Sequence, residues 1–151
     1  MKVFVSHKDT DAALARTVVQ ALEAQSVSAY LDELDERLLR GPKLADHLRA
    51  RMSLCSHLIA VVSSSTATSW WVPWEIGVAS ERTMPLASFT SQPTLLPDYL
   101  RSWPYLSRVA DIATYVEEAK RFDRETKSLT ASAARTDWQG FHTRLKSRLG
   151  Q

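Results

Sequence analysis

Two hydrophobic periods alternate along this chain. Val3-Phe4-Val5 is a short, wholly apolar run followed by polar Ser6-His7-Lys8-Asp9-Thr10-Asp11, which predicts a buried strand entering a loop. The period then changes. Leu14, Val18, Ala21 and Leu22 fall at i, i+4, i+7 and i+8, the stripe of an amphipathic helix that Thr10 or Asp11 can cap. Residues 27–31 are strand-like again, and 32–43, acidic then basic and closing with Gly41-Pro42, read as a long loop. Leu44, Leu48, Arg51 and Met52 predict a second helix ending near Cys55, and residues 57–62 are the clearest strand in the chain. A Ser/Thr run at 63–69 leads into a Trp-rich helix reaching about Arg82, and 85–89 is a weaker fourth strand. Pro93, Pro97 and Pro104 make 90–106 mostly loop, and 106–112 reads as a last short strand. Ile112, Tyr115, Val116 and Ala119 mark another helix, 127–136 is small and polar like a linker, and Trp138, Phe141, Leu145 and Leu149 space a terminal helix. The expected organisation is one domain over 1–122, then a linker and amphipathic helix over 123–151 that packs on the domain or on a partner.

Strands that are apolar on both sides, alternating with helices, belong to a parallel sheet covered on both faces. In such α/β folds ligands bind beyond the carboxyl ends of the strands. The segments to watch therefore follow each strand: 6–9, Asp32 onward, 63–71 and 90–104. Composition narrows the setting. A length of 151 residues suits one domain, and 44% hydrophobic with 24% charged residues excludes a disordered, collagen-like or disulfide-built chain. Nineteen basic against 17 acidic residues give +2, too slight an excess to predict a nucleic-acid partner. The single cysteine, Cys55, cannot form an internal disulfide or a Cys-based zinc site, and no metal site is expected. No apolar run approaches the roughly 18 residues of a membrane span, so a cytoplasmic location without membrane binding is the expectation.

The familiar phosphate-binding devices are missing. No GxGxxG follows the first strand, no Walker lysine sits in a Gly-rich loop, and there are four glycines in all. Where a phospho-acceptor domain carries an aspartate after its central strand, this chain has Ser63. The richest constellation is Ser69-Trp70-Trp71-Val72-Pro73-Trp74-Glu75-Ile76-Gly77. Pro73 fits the first turn of a helix, so Glu75 is expected near the helix start, partly exposed, with Trp71 on the same face four residues before it. A carboxylate beside a flat aromatic suits cleavage of the nicotinamide–ribose bond of NAD+. The leaving group there departs neutral without a general acid, and the oxocarbenium-like transition state wants one negative charge. The aromatic face could stack on the pyridinium ring. A glutamate near a helix start is also commonplace, and tryptophans at strand ends are often core, so spacing alone leaves both readings open.

The ordered set of blocks resembles the TIR-domain family, specifically its bacterial stand-alone members. The matching residues are Val3-Phe4-Val5-Ser6-His7 with Asp9 and Asp11, then Tyr30-Leu31-Asp32, then residues 58–65, and then the Trp-x-x-x-Glu-Ile element running from Trp71 through Glu75 to Ile76. The resemblance covers about residues 1–120. It implies a flavodoxin-like α/β fold: a central five-stranded parallel sheet with helices on both faces, here followed by a C-terminal helix. It implies Glu75 as the catalytic residue of NAD+ cleavage. It implies a pocket lined by Ser6, His7, Lys8, Tyr30, Asp32 and Trp71, with NAD+ as substrate and no cofactor. It further implies self-association through TIR–TIR contacts using the loop 32–43, and a role in anti-phage immunity whose product, ADP-ribose or a cyclic relative, signals to a separate effector. Pro73 departs from the usual pattern. Two competing readings are a non-enzymatic TIR assembly module and, more remotely, a nucleoside-processing transferase that also uses one carboxylate.

Overall fold

A computed structural model describes residues 1–31, 42–126 and 131–151. Five strands, β1 (Lys2–Ser6), β2 (Ser28–Leu31), β3 (His57–Val61), β4 (Leu86–Phe89) and β5 (Tyr105–Leu106), form one parallel sheet in the order β2-β1-β3-β4-β5. This is the parallel sheet covered on both faces expected from the alternating periods, in the flavodoxin-like α/β arrangement that the family resemblance implies. Because β1 has β2 on one side and β3 on the other, the chain reverses its direction of growth at the β1/β3 boundary, where doubly wound folds place their ligands.

Strand alternation divides the core in two. Val3 and Val5 of β1, with Ile59, Val61, Ala87 and Phe89, face helices α1 (Ala12–Ala24), α5 (Asp111–Thr126) and α6 (Ala131–Leu149). Phe4, Leu58, Ala60 and Leu86 face α2 (Pro42–Ser53) and α3 (Trp71–Glu81). A short helix, α4 (Asp98–Arg101), sits in the long connection before β5. Among the described residues no helix is long and apolar enough to cross a membrane.

Three boundaries differ from the expected ones. The last strand is only Tyr105–Leu106, and the residues after it turn into α5 at Asp111. The Asp111 carboxylate there accepts from the backbone N–H groups of Ser107 and Arg108, both at 3.0 Å, so polar capping overrides the apolar run. The stretch 131–136, expected as linker, is already the first turns of α6; Ala131, Ala133 and Ala134 are strong helix formers that leave no apolar stripe to read. The polar run after β3 is a 3-10 helix (Ser64–Thr68) with a capping box: Ser63 Oγ accepts from the Ser65 N–H, and the Ser63 N–H donates to Thr66 Oγ1.

Among the described residues, two helices end in the left-handed region on residues other than glycine. Ser26 (φ 57°) closes α1 and Thr83 (φ 53°) closes α3. In each, the next residue's N–H reaches back five positions, Val27 to the Leu22 carbonyl and Met84 to the Ala79 carbonyl, which completes a Schellman cap.

Candidate functional site

The site is built where β1 ends. Alternation turns Phe4 and Ser6 toward the α3 side of the sheet, and α3 begins above that edge. Glu75 lies five residues into α3, and the Ser6 hydroxyl donates to Glu75 Oε2. Both side chains are buried, Ser6 at 1% exposure and Glu75 at 4%. This corrects the expectation of a partly exposed Glu75. The helix starts at Trp71, so Glu75 stands one turn inside it, where its side chain lies over the sheet rather than at the solvated tip.

Trp71 lies on the same flank as Glu75, half-buried, with its ring edge-on to Trp74 at 5.7 Å between centroids. Trp70, one residue earlier, is 89% exposed. A cavity of about 440 Å³ opens on the other flank of α3, against Val72, Pro73, Ile76, Ser63 and Tyr99, and Glu75 does not line it. Helical spacing explains the separation, since positions 72, 73 and 76 point away from 71 and 75.

The other expected pocket residues are placed as follows. Lys8 bends toward the β3 exit: its Nζ donates to Thr68 Oγ1 at 2.5 Å and to the Ser65 carbonyl at 3.2 Å. Asp11 joins the same two segments, accepting from Ser63 Oγ at 2.9 Å and from Ser65 Oγ at 3.3 Å. The loop after β1 and the turn after β3 are thus laced together across the switch point. Thr68 is the residue sequence reading passed over in this lacing, and Asp11 was expected there only as a helix cap and a family match. His7 follows Ser6, half-buried. Tyr30 is half-buried on β2 in register with Phe4, two residues below the Ser6 level, its ring 5.6 Å from Phe4. Lys2 Nζ and the Arg51 guanidinium stand 5.7 and 5.6 Å from the Tyr30 ring centre, so cations already occupy its surroundings. Asp32, and the loop 32–43 as far as Gly41, lie outside the described residues.

Among the described residues no group of three His, Cys, Asp or Glu side chains is arranged to hold a metal. Cys55 is buried, and burial pushes its thiol above the ordinary value despite the Lys2 and Arg82 charges nearby. It is a packed thiol, not a nucleophile. The site therefore offers one buried carboxylate, one hydroxyl holding it, and a tryptophan pair on the same flank, an arrangement that can stabilise positive charge on a bound ring.

A sequence model of the family described as "TIR domain" matches residues 3–127. The chain is also similar to a protein of Bacillus cereus (strain MSX-D12) named as a probable 3' cyclic ADP-D-ribose synthase ThsB'. The two are 30% identical over 79 residues, covering 50% of this chain and 41% of that relative. The chain thus spans well under half the length of the curated relative it matches. Among solved structures it shows a faint likeness to the glutaminase domain of Trypanosoma brucei CTPS with bound acivicin. The TM-score is 0.36 at 15% identity, over 58% of this chain and 35% of that one, too weak to bear on function.

Proposed function

This chain belongs to the TIR-domain family, and from that footing we propose that it cleaves the nicotinamide–ribose bond of NAD+ with Glu75 as the catalytic carboxylate. The observation that carries the proposal is the pairing of Glu75 with Ser6 at the carboxyl end of β1, beside the switch point of the sheet. The relative named as a cyclic ADP-ribose synthase supports the same class of reaction.

In the proposed reaction the bond between the ribose C1′ and the ring nitrogen breaks, and its electron pair neutralises the pyridinium. Nicotinamide leaves without needing a proton. The ribose is left as an oxocarbenium-like cation, which the Glu75 carboxylate stabilises, and Trp71 offers an aromatic face on the same flank. Water then adds at C1′ and loses a proton to give ADP-ribose, or a nucleophile within the same molecule closes a ring. TIR–TIR assembly through the segment 32–43, and a role for the product as a signal in anti-phage defence, extend the proposal.

The test is NAD+ turnover by the purified protein at high concentration, with products separated and Glu75→Gln as control. The amide keeps size and can still accept from Ser6, so loss of the charge alone should lower the rate by roughly 10²–10³. Full turnover in Glu75→Gln would end the assignment. The 4% exposure of Glu75 favours a second reading, in which the carboxylate anchors α3 to β1 and the domain serves only in assembly. That reading expects no nicotinamide from the wild type and a lower melting temperature in Glu75→Ala.

A further inference from the structure

We propose that Ser6 is a positioning residue for Glu75: its buried hydroxyl fixes the orientation of the carboxylate instead of meeting the substrate. The inference rests on the reading of Glu75 as the carboxylate that faces the ribosyl cation, and it assigns Ser6 a role different from that of a pocket-lining contact.

Three observations carry it. The first is where the proton goes. A serine hydroxyl has one hydrogen to donate, and here it is given to Glu75 Oε2. None remains to donate to a phosphate or ribose oxygen. The second is burial: at 1% exposure Ser6 presents almost no surface that a ligand could touch. The third is rigidity. Ser6 is the last residue of β1, in register with Ala60 of β3, and β1 is paired on both sides. A donor on a doubly paired strand holds its partner more closely than one on a loop.

The choice of a neutral donor has a chemical reason. A lysine or arginine in this place would orient the carboxylate equally well, but its positive charge would cancel much of the field that stabilises a cation nearby. A hydroxyl fixes a glutamate, which has three rotatable side-chain bonds, and leaves its charge in place. A misplacement of even 1 Å at a reacting group costs large factors in rate, so the hold is worth having although the hydroxyl touches no reacting atom.

The experiment combines kinetics with a spectroscopic signature on the full chain. Ser6→Ala should lower kcat for NAD+ cleavage about tenfold while leaving KM within about twofold, and Ser6→Thr, which restores a hydroxyl, should recover most of the loss. In the wild type at low temperature, proton NMR should show a slowly exchanging Ser6 hydroxyl proton that is absent in Ser6→Ala and shifted in Glu75→Gln. A rise in KM at unchanged kcat would make Ser6 a substrate contact and overturn the proposal, as would kinetics unchanged in Ser6→Ala. A wild type that releases no nicotinamide would refute the NAD+ reading by itself. The hydroxyl signal would then decide the Ser6–Glu75 pairing alone, and its absence would overturn the positioning role.

Discussion

Trp138 donates its indole N–H to the carbonyl oxygen of Met84, 2.7 Å away and 54 positions earlier in the chain. One turn further along α6, His142 Nε2 accepts from the Leu86 N–H at 3.3 Å. The amino-terminal end of β4 is thus completed by side chains of α6 rather than by another strand. Phe141 and Leu145 lie fully buried on the same helix, so α6 belongs to the core.

That bond requires His142 to be neutral, because a protonated ring would aim a donor at a donor. Burial pushes His142 down to about 4, and burial pushes His57 down to about 3. The Asp123 carboxylate is 3.6 Å from His57 Nε2, beyond hydrogen-bond reach, and desolvation outweighs it. Both values lie below the 6.5 of a free histidine. The unfolded chain therefore binds protons that the native chain refuses, and stability is whole above about pH 6.5 and falls as pH drops toward 4 and then 3. For His142 the loss by pH 4 is about 3 kcal/mol. Denaturation midpoints measured from pH 7 to 4 should decline, and His142→Gln, which keeps an acceptor but no proton site, should flatten the decline.

Glu118 on α5 is 2% exposed, and Arg144 Nε of α6 donates to it at 2.5 Å, with Arg148 3.6 Å from its other oxygen. Taking away Arg144 leaves the buried carboxylate with only the longer Arg148 contact, at a cost of about 3 kcal/mol. Arg148 is 40% exposed, and its loss should cost less than about 1 kcal/mol. Urea denaturation of Arg144→Ala and Arg148→Ala compares the two, and equal effects would refute the ranking.

Thr83 holds a left-handed backbone with a β-branched side chain, a strained combination. Thr83→Gly should raise stability by about 0.5–1 kcal/mol, the relief of strain exceeding the entropy glycine adds to the unfolded chain. Thermal melts of the two proteins decide it. An unchanged or lower melting temperature would show the threonine to be at ease.

The neighbouring tryptophans should behave differently. Trp70→Ala should change stability by less than about 0.5 kcal/mol, as expected of a side chain in solvent. Trp71→Ala should raise KM for NAD+ about five- to tenfold, the worth of roughly 1 kcal/mol of ring stacking. Steady-state nicotinamide release measures this, and an unaltered KM would return Trp71 to packing alone.

The parallel sheet was legible because Val3-Phe4-Val5 and residues 58–61 are apolar on both faces and their helical neighbours change period sharply. The shared flank of Glu75 and Trp71 was legible through a four-residue spacing and one proline, whereas the role proposed for them came only with the family resemblance. The burial of Glu75 was not, since a helix's setting over the sheet is fixed by where the preceding 3-10 turn delivers it, and that turn is written in serines and threonines. The lacing of Lys8 and Asp11 to Ser65, Thr68 and Ser63 was equally hidden, because polar residues in two loops give no periodic signal. The early start of α6 escaped for a related reason: alanines propagate a helix without marking a face.

The placement of α6 also sets an order of events during synthesis. All five strands have been made once Leu106 is added, yet the sheet face under α1 and α5 still lacks Phe141 and Leu145. Even after α5 has followed, the apolar seat beside its Tyr115 and Phe122 stays open to water and to any chaperone that binds such surfaces until α6 leaves the ribosome. The nascent chain therefore passes through a state with its strands made and its cover missing. A pause in translation between residues 107 and 141 would prolong that state.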